Sequence, residues 1–513
     1  MVQIKNLNVS HKKDLRPLTK GLSFVLNDGD KAAVIGEEGN GKSTLLKLIF
    51  DARLAEDYVE YSGEILKNNT VCGYLAQELP EADRKKTVYG YLSEEPGFSE
   101  ADYRELADWT RQLGLPSDIF YSEKPVGVLS GGEKVKVQLL RILAGHPRAL
   151  LLDEPSNDLD LDTLVWLERF IRDSQVPVLY ISHDETLLEN TANMIIHMEQ
   201  IKRKTESRCT VTRTDYRTYV DKRQEGIARQ ERLAVEERAA YKKQQERFRR
   251  IHDSVEYQQE AISRQNPSGG RLLKKKMHAV KAMERRFERQ AENMTQMPEF
   301  EEAIFFKFSE ADQVPAGKWV INLTLPVLEA EGTELARNVE LQVRGPEKVC
   351  IVGKNGVGKT TLLREIAGEL LPRTDIRAAY MPQNYEELLD LEQTPVEFLS
   401  VTFDKAENTE LRTYLGSMKY TKDEMDRPIG QLSGGQKAKL LLLKLSREHK
   451  NVLILDEPTR NFSPLSGPVI RELLASYQGA IISVSHDRKY IREVCDTVYE
   501  LDPEGLHRFF EPL

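Results

Sequence analysis

Residues 129–160 read LSGGEKVKVQLLRILAGHPRALLLDEPSNDLD, and residues 432–463 read LSGGQKAKLLLLKLSREHKNVLILDEPTRNFS. In each, Ser-Gly-Gly opens a run with helical periodicity, a short apolar run follows, and an Asp-Glu pair ends that run. Ser130 stands 24 positions before Glu154, and Ser433 the same 24 before Glu457. His183 and His486 each follow their glutamate by 29. Further out, GEEGNGKST begins at Gly36 and GKNGVGKTT at Gly353, with Gln77 and Gln383 between these loops and the quoted stretches. Spacing matched at this many points means two copies of one domain. Apolar runs such as KAAVIG, ALLLDEP and KVCIVG read as buried parallel strands alternating with helices. The expected class is α/β, with repeated domains over 1–203 and 299–513 and a different segment, 204–298, between them.

Bulk properties narrow the setting. Charged residues make up 30% of the 513, mean hydropathy is −0.50, and no run approaches the ~18 apolar residues that span a bilayer. The first residues, MVQIKNLNVSHKKD, lack the apolar core of a secretory signal. The four cysteines form no CxxC pair, which argues against disulfides and metal clusters. A cytoplasmic protein without membrane contact is expected. The net charge of −9 is unevenly spread: residues 221–290 hold 19 Lys/Arg against 11 Asp/Glu. An acidic body with a basic segment points to a polyanion reached by that segment.

Within it, Ile227, Ala234, Tyr241, Phe248, Val255 and Ile262 fall seven apart, and Leu273, Val280, Phe287 and Met294 repeat the step. NPSGG at 266–270 is a turn signal. Two helices folding back as an antiparallel coiled-coil hairpin are expected, with a tip near 264–276 and a first helix of about 40 residues, ~60 Å long.

The repeated motifs carry phosphate chemistry. GxxxxGK[ST] wraps backbone N–H groups around phosphates at a helix start. Its residues here are Gly36, Gly39, Asn40, Gly41, Lys42, Ser43 and Thr44, and again Gly353, Asn355, Gly356, Gly358, Lys359, Thr360 and Thr361. Lys42 and Lys359 suit β/γ-phosphate charge, while Ser43 and Thr360 suit Mg²⁺. Asp153 and Asp456 suit the same Mg²⁺, with Gln77 and Gln383 as neutral ligands to metal or water. Glu154 and Glu457 can polarise an attacking water, and His183 and His486 can contact a γ-phosphate. An isolated Asp-Glu pair is ordinarily a solvated strand end; duplication at fixed spacing favours the catalytic reading. Ser130, Gly131 and Gly132, like Ser433, Gly434 and Gly435, offer a hydroxyl and close-approaching N–H groups to a second anion site.

On these residues both terminal parts of the chain resemble the ATP-binding cassette superfamily. The resemblance implies an Mg²⁺-dependent ATPase in which each ATP lies between one copy's phosphate loop and the other's Ser-Gly-Gly. One site would pair Lys42 and Glu154 with Ser433 and Gly435, the other Lys359 and Glu457 with Ser130 and Gly132. Three departures stand out. Glu37 and Glu38 occupy places that are usually uncharged in the family, and they are expected to face solvent. For the adenine only His11 is a candidate, in copy one. Copy two has Asn461-Phe462-Ser463 where copy one has Asp158-Leu159-Asp160, so the two sites are expected to be unequal.

Paired cassettes around a basic hairpin resemble the ABC-F subfamily of ribosome-associated ATPases, in a monomer whose cassettes pair internally. That resemblance implies a hairpin entering the tRNA exit site and reaching large-subunit rRNA near the peptidyl-transferase centre. Arg264, Arg271, Lys274, Lys275, Lys276, Lys281, Arg285, Arg286 and Arg289 are the expected RNA contacts. Gln77 precedes Ser130 by 53 positions and Gln383 precedes Ser433 by 50, so no extra arm is inserted in the first cassette. That plan, and the tip SRQNPSGGRLLKKKM, are similar to the antibiotic-resistance members that protect the ribosome. A housekeeping translation factor and the ATPase half of an exporter are the alternatives.

Overall fold

A computed structural model describes every residue except 203, 261–266, 293, 298–307, 309–312, 331 and 510–513. Residues 1–217 and 301–513 form one compact unit, and residues 218–300 a second.

The first unit contains the same sheet twice. In the N-terminal copy the strand order is Cys72–Leu75, Ala149–Asp153, Val178–Ile181, Lys31–Ile35, Met194–Ile201, Glu206–Thr212. In the C-terminal copy it is Ala378–Met381, Val452–Asp456, Ala480–Val484, Lys348–Val352, Thr497–Asp502, Gly505–Arg508. All pairings are parallel except the last of each sheet. The strands ending in Asp153 and Asp456 are buried at every position, as runs without polar alternation require. An antiparallel layer is added to each copy: Pro17–Leu26, Val2–His11 and Val59–Leu66 in the first, Trp319–Ala330 and Thr333–Arg344 in the second.

The strand Glu206–Thr212 corrects the expected boundary at 203/204. It pairs antiparallel with Met194–Ile201 and completes the first sheet. ESRCTVT has no apolar run because an edge strand buries only part of its surface.

The second unit is built on helix Tyr216–Glu260, from residue 218 onward, and helix Pro267–Glu292, which supply the hairpin's two legs. Val255 and Val280 are buried together with Phe248 and Met277 against them. Phe287 meets both Phe248 and Tyr241 edge-on, at ring-centroid distances of 5.4 and 6.2 Å. The two heptad series therefore face each other in antiparallel register. The expected tip, 264–276, is partly revised: residues 267–276 already belong to the second helix, where Pro267 suits the first helical position. Arg264 and Asn266 lie outside the described residues.

Candidate functional site

Each phosphate loop leaves a central strand and enters a helix, Lys42–Phe50 or Lys359–Leu370. Gly41 and Gly358 precede those helices at φ of 88° and 101°, a conformation that favours glycine. A Cβ on Gly358 would stand 2.8 Å from a Leu335 methyl, so the loop could not close over a larger residue. Lys42 Nζ donates to the carbonyls of Gly36 and Glu37 at 2.8 and 3.1 Å. Lys359 Nζ makes the equivalent bonds to Gly353 and Lys354 at 2.7 and 2.9 Å. Gly39 and Gly356 are open-sided loop positions. Asn40 is different: buried, it donates to the Met198 carbonyl at 2.9 Å and anchors its loop to the sheet.

Asp153 and Asp456 end their strands beside the loop hydroxyls. Ser43 Oγ donates to Asp153 Oδ1 at 2.9 Å, and Thr360 bonds Asp456 in the same way. Burial pushes both carboxyls up. Tyr74, which sequence reasoning missed, donates to Asp153 Oδ2 at 3.1 Å. Its signal was available: Tyr stands three before Gln in both YLAQ and YMPQ. Asp456 Oδ2 and Glu154 Oε2 are buried without a hydrogen-bond partner. A buried orphan carboxylate oxygen next to a hydroxyl is a donor set that fits a divalent cation.

The residues that follow, Glu154 and Glu457, both have φ of 51°. A left-handed glutamate at the same place in both copies is held there by its surroundings. Their electrostatics differ. Burial alone would raise Glu154, but His183, whose Nε2 is 2.9 Å from Oε1, outweighs it and holds the carboxyl down. Glu457 is pushed up to about 8 by burial and by the charge of Asp456. His486 is pushed down to about 3 by burial and by Lys359, so it gives Glu457 no cationic partner.

Opposite pH responses follow for the nucleotide-free protein. Glu457 binds its proton more tightly folded than unfolded, so the stability it contributes is complete below pH 4.5 and is lost as pH rises through 8. The span is worth at most about 5 kcal/mol at 1.36 kcal/mol per unit. Glu457→Gln should therefore raise the midpoint of thermal unfolding at pH 8.5 and change it little at pH 4.5. Glu154→Gln should lower the midpoint near neutral pH, because Glu154 is stabilised as the anion. Equal shifts for the two variants at pH 8.5 would refute the contrast.

Two cavities lie between the cassettes. The larger, about 730 Å³, brings Lys359, Thr360, Thr361, Gln383, Asp456, Glu457 and His486 together with Gly131 and Asn157 of the first cassette. The smaller, about 260 Å³, holds Lys42, Ser43, Thr44, Gln77, Glu154 and His183 with Arg460 and Asn461 of the second. Arg460 and Asn461 were not foreseen, because only the facing cassette brings them here. His11 lines the smaller cavity beside Tyr58 and Arg16; Ala330 and Leu335 line the larger.

The Ser-Gly-Gly serines cap their helices. Ser130 and Ser433 accept from the N–H of Glu133 and Gln436, whose side chains accept in return from the serine N–H. Gly132 packs against Thr163 of its own cassette. Gly434 and Gly435 meet Glu38, whose Oε2 accepts from Gly435 N–H at 2.6 Å. Glu37 is partly buried, with Oε1 2.8 Å from Lys439 Nζ. The expectation that both carboxylates face solvent holds for Glu38, which is exposed, and is corrected for Glu37; each also reaches a donor on the other cassette.

In the second unit Lys274, Lys275, Lys276, Lys281, Arg285, Arg286 and Arg289 are all exposed. The Arg271 side chain lies outside what is described.

The ABC transporter family profile matches residues 19–157 and 336–460. The chain is similar to ABC transporter F family member 2 of Arabidopsis thaliana, 27% identical over 97% of this chain and 76% of that protein. It is also similar to the putative ATP-binding protein YdiF of Bacillus subtilis, 28% identical over 99% of this chain and 81% of that one. Against mouse ATP-binding cassette sub-family F member 3 it is 27% identical, over 99% and 72%. Among solved structures, the archaeal ribosome recycling factor in complex with a ribosomal stalk protein shares the fold. Its TM-score is 0.59 at 17% identity, covering 99% of this chain and 91% of that one.

Proposed function

This chain belongs to the ABC transporter family, as an F-type ATP-binding cassette ATPase with two cassettes, and from that premise we propose that it binds the ribosome. ATP closes the cassettes and strengthens binding; hydrolysis reopens them and releases the protein. The observation that carries this reading is the division of the hairpin's surface. Phe248, Val255, Met277 and Val280 pack together across the seam, while seven of its cations stay exposed to meet an RNA backbone. No helix among the described residues is long and apolar enough to cross a membrane.

At each site Ser43, Asp153 and Gln77, or Thr360, Asp456 and Gln383, would hold Mg²⁺, which when bound offsets phosphate charge. Lys42 and Lys359 would turn from their loop carbonyls to the phosphates. Glu154 and Glu457 would orient and deprotonate water, and His183 and His486 would stand against the transferred phosphate.

The further reading is ribosomal protection against drugs of the peptidyl-transferase region, supported by the armless first cassette and the basic tip. Expression in a susceptible bacterium should raise tolerance to such drugs, and replacing 266–271 by a Gly/Ser linker should abolish the gain. Unchanged tolerance on expression would leave a housekeeping role in translation. Likeness over 97–99% of this chain to plant, mouse and bacterial proteins suits that second reading.

A further inference from the structure

The third residue of each phosphate loop faces the opposite cassette, and the two copies use it differently. In copy two it is Asn355, whose Nδ2 donates to the Asp158 carbonyl at 2.5 Å and whose N–H points to Asp160 Oδ2 at 3.5 Å. The partner loop thus supplies the acceptors. In copy one the residue is Glu38, and the partner loop is Asn461-Phe462-Ser463. Ser463, at the place of Asp160, is buried and turned to Ser466, 3.2 Å away. No carboxylate is offered from that side, and Glu38 brings its own. It passes over the partner loop to the first turn of the helix Gly434–Arg447, where Gly435 N–H donates to it.

That N–H belongs to the Ser-Gly-Gly loop that should receive the γ-phosphate of ATP held by Lys42. A carboxylate and a phosphate oxygen ask for the same donor at the same positive helix end. In the copy-two site the equivalent of Gly435 is Gly132, which faces the Thr163 side chain of its own cassette and, among the described residues, meets no carboxylate; Gly131 beside it borders the larger cavity.

We propose that Glu38 is a specificity-determining residue of the Lys42 site, competing with the γ-phosphate for the Gly435 N–H and so disfavouring ATP relative to ADP there. ADP lacks the competing group and leaves Glu38 in place. The Lys359 site carries no such competitor and takes ATP first. This rests on the reading that ATP is sandwiched between phosphate loop and Ser-Gly-Gly.

The test uses the full chain with one site disabled at a time. In Lys359→Ala protein, fluorescent ATP and ADP analogues report the Lys42 site. There Glu38→Gln and Glu38→Asn should each tighten ATP binding about tenfold, the size of one charge-assisted hydrogen bond, with ADP affinity unchanged. In Lys42→Ala protein the same substitutions should change neither nucleotide. Glu37→Gln removes an equal charge from Lys439 and should leave the ATP-to-ADP ratio as it was. A ratio unmoved by Glu38→Gln, or moved as far by Glu37→Gln, overturns the competition while leaving the sandwich intact. Absence of ATP binding at either site of the unsubstituted chain overturns both.

Discussion

ATP turnover should fall by about 10²–10⁴-fold in the Glu154→Gln/Glu457→Gln protein, the range that loss of a positioned general base produces. The argument rests on placement. Both glutamates follow a fully buried strand, and both hold φ of 51°. Glutamine keeps the shape and the backbone but cannot take a proton from water. Each single variant should retain turnover from the intact site, because Glu154 and Glu457 line different cavities. Nucleotide binding should persist, since Lys42, Lys359 and the loops are untouched. Phosphate release under saturating ATP, set against retention of labelled ATP, measures both. Turnover within a factor of three of the unsubstituted protein would remove these residues from the mechanism.

The second large effect concerns the seam that joins the cassettes. Arg471 Nη1 is 2.5 Å from Glu185 Oε1, with both side chains under 10% exposed. Lys489 Nζ lies 3.0 Å from Glu185 and 2.5 Å from Glu189. Arg488 reaches Glu168 and Asp184. In each of these pairs the anion is on the first cassette and the cation on the second. Arg471→Met leaves Glu185 buried with Lys489 alone, and removing one partner of a buried pair costs about 3–5 kcal/mol. We expect the low end, about 3 kcal/mol, because Lys489 remains. The first transition in urea unfolding of the full chain should move to lower denaturant. Arg471→Met/Glu185→Leu should recover part of the loss, since no buried carboxylate is then left behind. A shift below about 0.5 kcal/mol would mean that the pair is solvated.

This seam shows what the sequence can and cannot disclose. Two of the helices that carry it begin just after the repeated His-Asp, and the next residues are Glu185 in one copy and Arg488-Lys489 in the other. Opposite charge at equivalent places is readable once the copies are aligned. The duplicated sheets, the capped Ser-Gly-Gly helices and the heptad pairing of Phe248 and Val255 with Phe287 and Val280 are legible for the same reason: each follows from local periodicity or fixed spacing. Glu37 and Glu38 were not legible. Their partners, Lys439 and Gly435, are about 400 positions away and are selected by the facing surface. Arg460 and Asn461 were missed on the same ground, and Glu206–Thr212 because an edge strand lacks the apolar run of a central one.

The central claim joins the two units: nucleotide held by the cassettes governs attachment of the basic hairpin to RNA. Cosedimentation with purified ribosomes tests it most directly, using the Glu154→Gln/Glu457→Gln protein with ATP and with none. The protein should pellet with ribosomes when ATP is present, remain largely in the supernatant without it, and detach as salt is raised. Protein left in the supernatant at low salt with saturating ATP, while the ribosomes sediment, would contradict the account.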